Sequence, residues 1–563
     1  MSTGTSHPWD RLADRVVHLS LDDRFWLTSA IVTSLCIHLV YLATHPYPAY
    51  GAGLYLEIAE QISAHGYGLP ATIPGYTAGG VPFAYPPLAF YLAALVRDLT
   101  GVGPIAYSRF LPGLVVTATL VPYYFTAKEL LDTPQQAGVA TLLFAGTPAV
   151  LQWHLSAGGI VRAVAFLLVV TGIYVGVRLF RSADARWLVP ATVLFGLTVL
   201  THPTYTVFFG LSYLLLFVGF SRSIQGLLFG ALVASGGILL AAPWWLQVVA
   251  THGPEIFLDA SGTHGGLVGG PERLLSEFLY PIDLGAEVVV FGAAYAGALY
   301  ALARRRFLLP AWLVAGGYIM GKPRFVFVAG SLLTALLFFE VVLPAVRRLA
   351  ASTELGRDRR RVVEVGAVAL LVLAAAGTGS AFAAGSLATH GGDPSQPAFI
   401  NDGDREAMSW VASETDADAD FVVLSDAAEW FPLLTDRTIL VGQWGVEWTE
   451  PERYRQQIEQ FESVSRCDRA ACITRNLRRT GTEPDYVYVP TGEYTVRGMT
   501  YERAPGMRAS LVSSDRYELV YQNEDAIVVR VTDAGEAGVG ANPRERDALE
   551  RASNTALERD STA

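Results

Sequence analysis

Long apolar runs dominate this chain and leave few folds open to it. Eleven stretches read as membrane-spanning helices: 25–44, 105–130, 137–153, 158–180, 187–200, 204–220, 224–248, 285–303, 307–320, 325–346 and 362–382. Crossing the hydrocarbon takes ~18–20 consecutive apolar residues, so 187–200 and 307–320 are short for the task. Charged residues make up 17% of the chain, against ~25% in ordinary soluble domains, and the deficit lies before position 386. The expected fold is mainly α. A helical membrane domain (25–386) of about 11 spans follows a short N-terminal segment (1–24) and precedes a small extracytoplasmic α/β domain (387–532).

Basic residues orient the spans. With the N-terminus in the cytoplasm, the inner segments hold 17 Lys and Arg, including Arg304, Arg305 and Arg306. The outer ends hold six: Arg97, Arg109, Arg162, Arg273, Lys322 and Arg324. Positive residues favour the cytoplasmic side, and an odd number of spans then puts the C-terminal domain outside. The first span lacks a small-residue cleavage site and reads as an uncleaved anchor. Net charge is +3 over 1–386, −11 over 387–532 and −3 over 533–563, with two lysines against 39 arginines. This acidic, lysine-poor exterior points to a salt-adapted source. It offers no basic face to nucleic acid.

After the polar linker Gly391-Gly392-Asp393-Pro394-Ser395, helical and strand patterns alternate. Helices are expected over 404–413, 427–434 and 451–464, and strands over 421–424, 486–489, 519–522 and 526–531. The acidic tail from Asp533 has no apolar periodicity and is expected to be disordered. Cys467 and Cys472 lie close together in the part assigned to the exterior, where a disulfide persists. No histidine or further cysteine near them supports zinc. A nucleotide-binding glycine loop and a serine-nucleophile elbow are both missing.

Five groups converge on the outer face in this topology. The external loop 45–104 carries Tyr55, Glu57, Glu60 and Tyr85; a carboxylate there within ~3 Å of an acceptor hydroxyl would serve as general base, or the two glutamates are the solvated face of an interfacial helix. Next comes His154, then Gly158-Gly159 and Arg162, whose charge must pair, line a polar cavity or snorkel to headgroups. Thr201-His202-Pro203 breaks the chain between two short spans. His252, Glu255, Asp259 and His264 follow Pro243-Trp244-Trp245 in a long loop that suits a lid; His252, Glu255 and His264 are candidate metal ligands, though their spacing matches no specific motif. Lys322-Pro323-Arg324, with Arg109 at similar depth, suits a phosphate, as it would ordinary headgroups.

In this order the motifs resemble the GT-C class of membrane glycosyltransferases, which includes protein mannosyltransferases, lipid A aminoarabinose transferases and oligosaccharyltransferases. The resemblance rests on the acidic first loop ending in Tyr85-Pro86-Pro87-Leu88, on Arg109, and on Gly158-Gly159-Ile160-Val161-Arg162. Leu200-Thr201-His202-Pro203 and Pro323-Arg324 extend it over most of 25–350. The stretch from Glu429-Trp430-Phe431-Pro432 to Gly445-Val446-Glu447-Trp448 looks like the core of the family's external domain. The resemblance implies a glycosyltransferase that moves a sugar from a polyprenyl (dolichyl) phosphate carrier to a glycan, protein or lipid acceptor, with inversion. The family's base is usually a first-loop aspartate. This chain has none between Ala43 and Arg97, which leaves Glu57, with Glu60 behind it. The family's phosphate-binding arginine maps onto Arg324, with Tyr55, Tyr85, Arg109, His154, Arg162, His202 and Lys322 as further substrate contacts. Some members use a divalent metal ion and others do not. The competing reading is a non-catalytic carrier-lipid-binding or transport protein. Against transport, the charges cluster at helix ends and no repeat is visible.

Overall fold

The structure, a computed structural model, describes residues 22–263, 287–352, 357–389, 393–394 and 396–532. Among these, six helices are long and apolar enough to cross a membrane: Asp23–Thr44, Pro104–Leu130, Gly159–Ser182, Pro203–Phe220, Pro323–Ser352 and Arg359–Ala383. The helices Ile224–Leu240 and Ala242–His252, bent by 57° at their junction, form either a broken seventh span or a re-entrant loop. The other expected runs form shorter or broken helices among the described residues. Three of the expected runs form the shorter helices Ala185–Val199, Val288–Ala303 and Leu308–Ile319. At ~1.5 Å per residue such helices fall short of a ~30 Å hydrocarbon layer. The run 137–153 breaks into Pro134–Ala145 and Pro148–Leu155, because Pro148 cannot donate to a continuous ladder. Cys36 is an exposed free thiol on the first span.

The helix packing leaves two unlike ends. One end gathers ion pairs: Lys128 with Asp23, Glu129 with Arg178 and Arg181, and Arg306 with Glu340. At the other end lie the Gly53–Ala64 and Leu88–Thr100 helices of the first loop and the C-terminal α/β unit. That unit is built on a five-stranded sheet of β1 (Asp420–Val423), β2 (Thr438–Ile439), β3 (Tyr486–Pro490), β4 (Tyr517–Gln522) and β5 (Ala526–Val531), in the order β4-β5-β3-β1-β2. β1 runs parallel to β2 and β3, and β3, β5 and β4 pair antiparallel. β3 is buried along its whole length, as its Tyr-Val-Tyr-Val run requires of a central strand. The expected helices at 404–413 and 451–464 form as Asp402–Glu414 and Pro451–Ser465. The expected helix at 427–434 instead splits into a 3₁₀ turn, Asp426–Glu429, and a short helix, Phe431–Thr435. Cys467 and Cys472 are joined by a disulfide.

The first loop and this α/β unit share one hydrophobic core. Leu56, Ile58, Tyr76 and Phe83 pack in the same cluster as Phe421, Trp430, Phe431 and Val487. Gly53 and Gly75 permit the contact. A Cβ on Gly53 would sit 1.8 Å from the Glu429 carbonyl oxygen, and one on Gly75 would sit 2.8 Å from Pro432 Cβ. The two parts are thus folded onto each other, and the space between them and the helix ends is the site.

Candidate functional site

A cavity of about 690 Å³ lies where the helix ends, the first loop and the α/β unit meet. Three helices begin on its wall. Gly158, His202 and Lys322 are the N-terminal caps of the helices at Gly159, Pro203 and Pro323, and all three line it. Helix N-termini expose unsatisfied N–H groups and partial positive charge, so their convergence favours an anion. Arg162 and Lys322 add full charges to the same wall.

Arg162 lies over Trp153 and Tyr55, at 5.3 and 6.0 Å from their ring centroids. Its guanidinium reaches back across Gly158, where a Cβ would be 2.1 Å from Nη1. The glycine read in the sequence as a turn thus also leaves room for the arginine. His202 accepts a hydrogen bond at Nδ1 from the Thr204 N–H at 3.3 Å. Tyr55 and Tyr85, edge to face at 5.9 Å, form an aromatic wall that Trp448 continues 5.0 Å from Tyr85. The Glu255–Thr263 helix contributes Phe257, Ala260 and Ser261.

Of the residues expected from sequence, Tyr55, Tyr85, Arg162, His202 and Lys322 meet at this cavity. Others are turned elsewhere. Glu57 follows Tyr55 by two residues, ~200° around a helix, so it faces away from the cavity. There it is buried and accepts a hydrogen bond from Gln61 Nε2 at 2.8 Å. Burial pushes its carboxyl up to about 7. Glu60 pairs with Arg97 at 2.7 Å. Neither glutamate is among the residues that line the cavity. His154 is fully buried, stacked on Phe166 at 4.3 Å. Its Nδ1–H donates to the Val150 carbonyl and Nε2 accepts from Tyr205 Oη at 2.6 Å, so it is a packed core histidine. Arg109 donates to the Leu42 carbonyl at 2.8 Å, outside the cavity. Arg324 is buried against Tyr205 and Phe325, 5.3 and 5.1 Å from their centroids, while Lys322 reaches the cavity wall in its place.

Among the described residues the metal candidates are not brought together. His252 Nε2 donates to the Ala71 carbonyl at 3.0 Å, Glu255 is exposed, and His264 lies outside the described residues. Among the described residues no group of three His, Cys, Asp or Glu is arranged to hold a metal.

Sequence reasoning missed the cavity's carboxyls, which come from the α/β unit: Glu429 and Glu447. Glu429 ends the 3₁₀ turn capped by Ser425. The turn's first residue, Asp426, accepts the N–H groups of Arg497 and Gly498, both at 2.8 Å. These two occupy the left-handed region at the tip of a hairpin, the turn that suits a twisted two-stranded ribbon. Burial, with the Asp426 charge, pushes the Glu429 carboxyl up to about 8, opposed by Arg162 and a Trp444 hydrogen bond. Glu447 is held at about 7 by burial, opposed by backbone N–H groups. The available signal was a glutamate inside the apolar run Ala427-Ala428-Glu429-Trp430-Phe431, since carboxylates are rarely buried without a task.

No family model and no curated protein matches the chain. Solved structures do. The archaeal oligosaccharyltransferase AglB from Archaeoglobus fulgidus, in complex with an inhibitory peptide and a dolichol-phosphate, superposes with a TM-score of 0.53 at 13% identity, covering 83% of this chain and 69% of that one. ArnT from Cupriavidus metallidurans, bound to undecaprenyl phosphate, gives 0.54 at 14%, covering 91% and 99%. The mycobacterial arabinofuranosyltransferase AftD gives 0.56 at 16%, covering 90% of this chain and 40% of that one. At these identities the likeness is one of fold alone, and the chain shares the architecture of these solved structures.

Proposed function

We propose that this protein is a glycosyltransferase that moves a sugar from a polyprenyl-phosphate carrier to a hydroxyl of a glycan, protein or lipid acceptor in the described cavity. The observation that carries the reading is the polarity of that cavity. Arg162, Lys322 and three helix N-termini form a cationic wall, and the α/β unit adds two carboxyls. Neighbours of the same fold bind dolichol-phosphate and undecaprenyl phosphate, which supports a lipid phosphate on the cationic wall.

In this mechanism the carrier phosphate rests on Lys322 and Arg162, with Arg324 adding charge from beneath. A cavity carboxylate takes the acceptor O–H proton. The acceptor oxygen then bonds to the anomeric carbon from the side opposite the phosphate, and the carbon–phosphate oxygen bond breaks with its electron pair on the carrier. Configuration inverts. The departing phosphate gains negative charge where donors are already aimed, so no reorganisation is required. The orientation that suits this chemistry puts the N-terminus in the cytoplasm and the cavity outside, with the ion-paired helix ends inward.

The test is transfer in vitro by purified protein, using a panel of polyprenyl-phosphate sugars and acceptor glycans, with and without chelator. Turnover that falls sharply in Lys322→Met and Arg162→Ala supports the reading. Saturable carrier-lipid binding without turnover for any donor would replace it with a non-catalytic carrier-binding role.

A further inference from the structure

We propose that Glu429, projected from the C-terminal α/β unit into the gap left by Gly51 of the first loop, is the general base of the transfer reaction. This inference rests on the function proposed above and assigns a residue to its proton-transfer step.

Three contacts from the first loop fix Glu429. The Tyr76 hydroxyl donates to its carbonyl oxygen at 2.7 Å. Gly53 lies flat against its peptide, with room for no side chain. Its carboxyl presses on Gly51, where a Cβ would stand 1.8 Å from Oε2 and 2.2 Å from Cδ. The carboxyl therefore occupies the volume from which a side chain at position 51 would project. Both Gly51 and Glu429 line the cavity, so the first loop presents a carboxylate at this point that it does not itself encode.

Glu447 is the competing carboxyl, and its geometry suits it less. Backbone N–H groups of its own turn, including that of Gly445, lower its affinity for a proton, although its Oε2 has no hydrogen-bond partner among the described residues. Glu429 faces Arg162 and the Trp444 indole, and lines the same cavity as Lys322. A group that must take a proton works best when its affinity lies close to the working pH; burial brings Glu429 into that range. In the reaction the acceptor O–H proton passes to Glu429, the acceptor oxygen bonds to the anomeric carbon, and polyprenyl phosphate departs with the bonding pair. The proton returns to solvent once the products leave.

The α/β unit thereby supplies a reacting group, and the site is complete only where the two parts fold together.

The experiment compares wild type, Glu429→Gln, Glu429→Ala and the double variant Gly51→Asp/Glu429→Ala. Each is assayed for sugar transfer and for binding of polyprenyl phosphate, and checked for monodispersity in detergent. Glu429→Gln is expected to lose transfer by on the order of 10²–10⁴-fold while still binding polyprenyl phosphate. The double variant returns a carboxylate to the same point from the opposite backbone. It is expected to recover at least roughly tenfold over Glu429→Ala, a gain that a purely structural role for Glu429 does not produce. Glu429→Gln within threefold of wild type overturns the inference. So does the absence of any gain in the double variant, and so does transfer that survives in Glu429→Gln but vanishes in Glu57→Gln, which returns the base to the first loop. Wild type inactive with every donor overturns the proposed function itself, an outcome distinct from each of these.

Discussion

The Tyr76 hydroxyl donates a 2.7 Å hydrogen bond to the Glu429 carbonyl, joining the first loop to the C-terminal unit across 353 residues of chain. Both residues are buried. Removing the hydroxyl leaves that carbonyl without a donor in a dry place. Tyr76→Phe should therefore destabilise the protein by about 1–3 kcal/mol and lower transfer by loosening Glu429. Thermal unfolding in detergent reads the first effect, and an unchanged midpoint would argue that the bond carries no load.

Gly158 and Arg162 make a second testable pair. A Cβ at position 158 meets the guanidinium at 2.1 Å, and that guanidinium is the flexible end of a long side chain. Gly158→Ala should displace the charge with little loss of stability, weakening carrier-phosphate binding. Lys322→Met should weaken it by about ten- to a hundredfold, the worth of one charge-assisted hydrogen bond of ~1.5–3 kcal/mol. Titration with polyprenyl phosphate measures both.

The pH dependence follows from buried carboxyls. Burial raises the affinity of Glu429 for a proton and the Asp426 charge adds to it; together they outweigh Arg162 and Trp444, which lower it, and leave it at about 8. A base must be ionised, so transfer should climb with pH and level off above about 8. Stability runs the other way. A carboxyl whose affinity is raised by folding stabilises fully below its unfolded value near 4.5 and loses that contribution as pH rises through the folded value. The melting temperature should fall between pH 5 and 8, and less steeply in Glu429→Gln. A slope identical to wild type would show that Glu429 does not titrate there.

The disulfide closes a short loop at the start of the Ala470–Thr480 helix. Loop-closure entropy for so few residues amounts to about 2 kcal/mol. Cys467→Ser/Cys472→Ser should lower the unfolding midpoint accordingly. Transfer at low temperature should persist, since neither cysteine lines the cavity. Loss of transfer in a folded variant would tie this loop to the site.

Much of the cavity's cationic wall was legible in the chain. Arg162 follows two glycines at a helix start, and Lys322 and His202 each precede a proline, so local signals place all three at helix N-termini on one end of the bundle. The span count was less legible. Apolar runs such as 187–200 and 307–320 have the right composition, but their length within the packed bundle is set by neighbouring helices. Arg324 illustrates the same limit: two residues after Lys322, it turns onto Tyr205 instead of the cavity.

The sequence by itself determined that this is a helical membrane protein with a small α/β unit, and which helix ends carry charge, because hydrophobic run length and helix-start chemistry are local properties. Only the tertiary structure decided which carboxylate enters the cavity. Glu57 sits beside Tyr55 in the chain yet faces away by helix geometry, whereas Glu429 arrives from another part of the chain because Gly51 and Gly53 leave room for its close approach. A missing side chain at one position and a long one far away in sequence fit together only in three dimensions, and no window along the chain contains both.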